Sequence, residues 1–266
     1  MSIGSKALSV ARRVKRIILG AKDTLSFPIQ VNLKTKEGFL KFEAFSSVEH
    51  YRIAGYGGEK SFLDKFTSLL KNDDIVFDIG ASVGLMTVHA AAYAKEGKVI
   101  AFEPDPETME RLKHNVSLNK GVSSVMFLPW AASDRSEDVI LFTDGASGCA
   151  PTLREQNNRK NAPKTQITVQ TKSIDNEILS GNLPLPTVLK IDIEGAEILC
   201  LRGAKKLISG QLGKRPRLIF LELHPDFLPS FDSTESAVHN LVLGQGYSVI
   251  WEQKRDAQIH YCYQSV

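Results

Sequence analysis

The feature that most constrains this chain is an alternation that begins at Asp74. An apolar, strand-type run at residues 75–79 is followed by a helix-favouring stretch at 85–94. A second run at 99–102, a helical stretch at 106–119 and a third run at 125–128 continue it. Short, uniformly apolar runs fit strands buried on both faces. Their alternation with helices implies a parallel sheet covered on both sides. Further along, residues 188–193 and 218–223 read as strands, while 196–208 and 233–243 read as helices. Two last runs, 249–251 and 259–263, are joined by a short polar link and are expected to pair antiparallel.

The flanks are less regular. Residues 29–33 and 39–45 alternate apolar and polar, as a β-hairpin does. Gly55, Gly57 and Gly58 mark a flexible turn ahead of a helix at 59–70. Residues 139–142 and 167–171 are strand-like, and 175–179 suit a short helix. Between them, 143–165 is a long polar loop carrying Arg154, Arg159 and Lys160, of a length usually tied to function or disorder. Residues 1–22 hold Ile3, Ala7, Val10, Val14, Ile17 and Ile18 at helical spacing, with six basic residues and no acid. The chain therefore divides into a basic amphipathic helix (1–22), a hairpin extension (23–58) and the main domain (59–266).

The leader hides the charge of the body. The net charge is +3, yet outside 1–22 there are 27 basic and 30 acidic residues, so no broad nucleic-acid-binding surface is expected. The leader helix suits packing on the domain or on a second subunit, or peripheral contact with a membrane surface. No run of 18 uncharged apolar residues occurs. Cys149, Cys200 and Cys262 are widely spaced without a CxxC pair, which argues against a zinc knuckle or a disulfide framework and points to a reducing cytoplasm.

The first strand runs directly into Asp78-Ile79-Gly80-Ala81-Ser82-Val83-Gly84. Glycine permits a sharp turn and close approach of a ligand, and the following helix turns its free N–H groups to the same crevice. The spacing is Asp-x-Gly-x-x-x-Gly, with Ser82 where the dinucleotide pattern GxGxxG has its second glycine. A carboxylate beside the loop suits a cationic ligand better than a diphosphate. Glu103 ends the second strand, 19 residues after Gly84, where an acid accepts hydrogen bonds from two ribose hydroxyls. Together these features favour S-adenosylmethionine (SAM), held by Asp78, Gly80, Ala81, Ser82, Gly84 and Glu103 with the adjoining Pro104.

The residues Val188-Leu189-Lys190-Ile191-Asp192-Ile193-Glu194-Gly195-Ala196-Glu197, then Leu201-Arg202-Gly203-Ala204, resemble the FkbM family of class I SAM-dependent methyltransferases. Phe102-Glu103-Pro104, Ile174-Asp175 and Leu221-Glu222-Leu223-His224-Pro225 support the resemblance, although many relatives have leucine in place of Ile174. It implies a Rossmann-like α/β/α fold with a seven-stranded, mostly parallel sheet and an antiparallel C-terminal hairpin. It also implies methyl transfer to oxygen, on a sugar, glycan or small metabolite. Trp130-Ala131-Ala132 falls where class I relatives contact adenine, which adds Ala131 to the expected donor site and leaves Trp130 either stacking or core.

Methyl transfer to a hydroxyl needs alignment and a proton acceptor. Period two puts Lys190, Asp192 and Glu194 on one side of an extended segment. Asp192, Glu194 and His224 are the candidate catalytic residues. Asp192, Glu222 and His224 also have the chemistry of cation ligands, but Asp-x-Glu with a distant histidine is no sharp signature, and no metal is assigned from sequence. A nicotinamide-dependent oxidoreductase and a non-catalytic binding module are the competing readings. The first lacks GxGxxG; the second would not need to keep Asp78, Glu103 and Asp192.

Overall fold

The computed structural model describes residues 26–148, 151–155 and 162–266. The expected leader helix, Cys149, Arg159 and Lys160 lie outside the described residues. The described part opens with β1 (Ile29–Thr35) and β2 (Gly38–Ala44), an antiparallel hairpin. Alternation turns Leu40, Phe42 and Ala44 inward, where they pack with Val83, Val88 and Ala92 of the main domain. Next come α1 (Ser47–Ala54) and a 3-10 turn at Tyr56–Gly58, where the glycines suggest a flexible turn. Ser46 starts α1 by accepting a hydrogen bond from the Glu49 N–H, a cap signal embedded in too short a segment to show a period. Then α2 (Lys60–Leu69) buries Phe62, Leu63 and Phe66.

The expected alternation follows as β3 (Ile75–Ile79), α3 (Leu85–Tyr93), β4 (Lys98–Phe102), α4 (Pro106–Ser117) and β5 (Ser124–Leu128), with the three strands parallel. Strands β6 (Ala131–Ala132), β7 (Asp138–Thr143) and β8 (Thr165–Lys172) form a separate small sheet in the order β6-β8-β7. The chain continues through α5 (Ile174–Leu179), β9 (Val188–Ile191), α6 (Glu197–Gly203), α7 (Lys205–Ser209), β10 (Leu218–Leu223), α8 (Glu235–Leu243), β11 (Tyr247–Arg255) and β12 (Gln258–Ser265).

One helix expected at 196–208 is thus two. Gly203 lies so close to the Ser133 carbonyl that a Cβ there would stand 1.9 Å from its oxygen. The buried Asp175 carboxylate then accepts the N–H groups of Lys206 and Leu207 at 2.7 and 2.9 Å and caps the second piece. This gives Asp175 and Gly203, both within the family-like motifs, structural jobs.

The main sheet has seven strands in the order β11-β12-β10-β9-β3-β4-β5. Only β12 runs against its neighbours. Successive residues sort to opposite faces. Phe77, Leu189, Ile219 and Leu221 join the core under α5–α8, whereas Val76, Val188, Leu218 and Phe220 face α2 and α3. Phe66 meets Phe220 edge-on with ring centres 5.1 Å apart. The chain leaves β3 toward β4 and β5 and returns on the other side as β9. A crevice must open between the carboxyl ends of β3 and β9, the position where open α/β sheets bind ligands.

Candidate active site

A cleft of about 1280 Å³, open mouth included, occupies that crevice. Of the residues expected to hold the donor, Gly80, Ala81, Ser82, Glu103, Pro104 and Ala131 line it, and Asp78 and Gly84 do not. Of the expected catalytic residues, Asp192 and Glu194 line it, whereas His224 is buried behind the wall. Trp130 also lines the cleft, but it is 4% exposed and packs edge-on against Phe102 at 4.9 Å, so it serves the core as well.

At one end, the backbone builds the site. Gly80 has φ +82°, and a Cβ there would stand 1.9 Å from the Asp192 carbonyl oxygen, so the position requires glycine. The N–H groups of Gly80 and Ala81 both donate to Phe102 O, at 3.1 and 3.0 Å, which folds the loop over the end of β4. Glu103 accepts the Ser82 N–H at 3.0 Å and the Asp105 N–H at 2.9 Å, one on each carboxylate oxygen. Burial pushes the Glu103 carboxyl up to about 7, against the pull of those two N–H groups.

Behind the loop, Asp78 is fully buried. Thr87 Oγ1 donates to its Oδ2 at 2.5 Å, and Lys190 Nζ lies 3.1 Å from its Oδ1. Lys190 also donates to Gly80 O at 2.9 Å and stands 3.5 Å from Asp192. Burial opposes its charge, but Asp78 and Asp192 outweigh burial and hold the ammonium above the ordinary lysine range. Lys190 therefore ties the glycine loop to the acidic strand end.

At the other end, side chains build the site. Glu194 adopts φ +52° and Gly195 φ +100°, a turn that brings Asp192 and Glu194 onto the cleft wall. His224 Nδ1 lies 2.8 Å from Glu197 Oε1, which also accepts the Gly195 N–H at 3.0 Å. A carboxylate only accepts, so Nδ1 carries the proton. Nε2 faces Glu194 at 3.5 Å, Glu222 at 3.6 Å and Asp192 at 3.9 Å, with the Gln258 amide at 3.1 Å. Burial works against charging this ring, but Glu194, Glu197 and Asp192 overcome it and push the imidazole up to about 10. As it stands, His224 is an imidazolium near neutral pH and not a ready base.

The N-terminal segment contributes residues that sequence reasoning missed. Arg52, Tyr56, Gly57 and Glu59 line the cleft, as does Gln258 from β12. Arg52 donates to Ala146 O and Gly148 O at 3.0 and 2.8 Å and steadies that wall. Arg255 joins the two segments by donating to Glu59 and to Gly57 O, at 2.7 Å each. The cluster of Gly55, Gly57 and Gly58 was the available signal. The contacts of Arg255 span 196 and 198 positions and those of Arg52 span 94 and 96, and no local pattern encodes them.

Known proteins are similar to this chain. The hexuronic acid methyltransferase AglP of Haloferax volcanii is 29% identical over 184 residues, covering 69% of this chain and 70% of that protein. The 31-O-demethyl-FK506 methyltransferase FkbM of Streptomyces tacrolimicus is 26% identical, covering 69% of this chain and 76% of its own length. The fibrillarin of Aeropyrum pernix, solved with S-adenosyl-L-methionine, overlaps loosely: TM-score 0.47 and 9% identity over 91% of this chain and 85% of that one. Residues 78–249, from the buried aspartate behind the glycine loop to the last hairpin, match the model of the methyltransferase FkbM domain, and the chain belongs to that family.

Proposed function

We propose that this methyltransferase takes its methyl group from SAM and delivers it to a hydroxyl oxygen of a sugar, glycan or other small metabolite. The observation that carries the reading is the pairing of two walls in one cleft. Glu103 is fixed by two backbone N–H groups beside the glycine loop, and Asp192 and Glu194 stand across the same space. The names of the two relatives, a hexuronic acid methyltransferase and a demethyl-FK506 methyltransferase, support an oxygen acceptor.

SAM supplies an electrophilic methyl carbon on a positively charged sulfur. Glu103 has acceptor capacity left for ribose hydroxyls, and Gly80 and Ala81 keep the loop clear of side-chain bulk. The cleft wall from Arg52 to Glu59 bounds the acceptor. In the displacement, the hydroxyl oxygen bonds to the methyl carbon, the carbon–sulfur bond breaks, and its electron pair stays on the departing S-adenosylhomocysteine. The hydroxyl proton passes to a cleft-facing carboxylate of the Asp192–Glu194 pair, since the buried His224 already holds its proton.

A SAM-consumption assay against a panel of glycans and hydroxylated metabolites tests this reading. The expected result is S-adenosylhomocysteine formed in step with a methyl ether. Transfer only to amine or thiol acceptors would overturn it.

A further inference from the structure

We infer that Asp192, Glu222 and His224 form a site for one divalent cation, with Glu197 orienting the imidazole. The three side chains come from the ends of β9 and β10, adjacent parallel strands. One potential ligand atom from each lies within 4.8 Å of the others. Ligand atoms around a cation with bonds of about 2.1 Å stand roughly 3.0–3.4 Å apart, so small side-chain shifts close the set.

Two observations separate this arrangement from an ordinary acidic cluster. The first is Glu222. It is 1% exposed, yet its Oε2 has no hydrogen-bond partner: His260 Nε2 stands 3.3 Å from that oxygen without bonding to it, and His224 Nε2 stands 3.6 Å from Oε1. Burying a carboxylate oxygen without a hydrogen bond is costly; the His224 ring at 3.6 Å stands too far off to donate one, and a bound cation that displaced the Nε2 proton of His224 would supply the missing partner. The second is the far side of the histidine. Glu197, fully buried and held by the Gly195 N–H, fixes Nδ1–H, so that Nε2 points at Asp192 and Glu222. A carboxylate on the remote nitrogen is the usual way a protein orients a ligating histidine.

Two carboxylates and one imidazole suit a first-row ion that accepts oxygen and nitrogen donors, such as Mn²⁺. Asp192 and Glu222 line the cleft, so the cation would face the acceptor and make its hydroxyl more acidic. Glu194 would then be the proton acceptor. That catalytic part rests on the function proposed above; the binding part does not.

The test reads the metal itself. The purified 266-residue chain is stripped with a chelator, dialysed and titrated with Mn²⁺, following the free-ion electron paramagnetic resonance signal. The expected result is one Mn²⁺ per chain, with nitrogen coupling from an imidazole in the pulsed spectrum. Glu222→Gln and Glu197→Gln should each weaken binding about 10- to 100-fold, and Glu235→Gln, on α8, should leave it unchanged. Asp192→Asn, at a partly exposed position, should also weaken binding and guards against a buried variant that fails to fold. Absence of binding by the wild-type chain at millimolar Mn²⁺ would overturn the site. So would binding that lacks nitrogen coupling and survives both Asp192→Asn and Glu222→Gln. Neither readout depends on methyl transfer.

Discussion

The two ends of the cleft are built on opposite principles. At the glycine loop, Glu103 is satisfied by the N–H groups of Ser82 and Asp105, and the loop is folded by its own hydrogen bonds to Phe102. At the acidic end, His224 Nε2 stands among three carboxylates at 3.5–3.9 Å, and Glu222 Oε2 has no hydrogen bond. One end is preorganised before any ligand arrives. The other gathers charge that only a ligand, a proton or a cation can balance. A donor that is the same in every turnover suits the first kind of end; an acceptor that differs between enzymes suits the second.

The widest break in this comparison comes at Gly80, where the two ends touch. Gly80→Ala puts a methyl group against the Asp192 carbonyl at a positive φ, so it should abolish measurable S-adenosylhomocysteine binding and lower the melting temperature. Calorimetry and thermal unfolding check both. Asp78→Ala comes next, at a residue that the sequence pattern assigns to the donor site. The structure sharpens the cause: Lys190 loses its 3.1 Å partner while staying buried, at a cost of about 3–5 kcal/mol. Donor affinity and thermal stability should therefore fall together, whereas a variant that lost affinity at unchanged stability would place Asp78 in direct contact with the donor.

Asp192→Asn should separate the ends. Turnover is expected to fall about 10²- to 10⁴-fold with donor affinity nearly unchanged, as steady-state kinetics beside a binding titration would reveal. The smallest effect belongs to Glu103→Gln, which should weaken donor binding about tenfold, the loss of a hydrogen bond to a charged group. Its pH behaviour is more telling. With the wild-type carboxyl near 7, acid neutralises Glu103 and converts one acceptor into a donor. Donor affinity should weaken as pH falls through about 7 in the wild type and stay flat in Glu103→Gln.

The same contrast explains what could be read from the chain. The strands from Ile75 to Leu128 and the Gly80 loop are local: apolar runs, glycine spacing and one acid at a strand end encode them. Asp192 and Glu194 were legible for the same reason. His224 was legible as a candidate but not as a buried imidazolium, because its state depends on Glu197, Glu194 and Asp192 folding around it from another strand end. The break at Gly203 was hidden because it is made by Ser133, 70 positions earlier. The wall from Arg52 to Glu59 was hidden because Arg255, near the end of the chain, holds it.

The most direct test of the central claim, that the glycine loop and Glu103 hold SAM, is a calorimetric titration of the wild type and Glu103→Ala with S-adenosylhomocysteine and with NAD. One S-adenosylhomocysteine should bind per wild-type chain, at least about tenfold more weakly in Glu103→Ala, and NAD should give no binding heat. Binding of NAD in preference, or S-adenosylhomocysteine affinity untouched by the loss of Glu103, would contradict it.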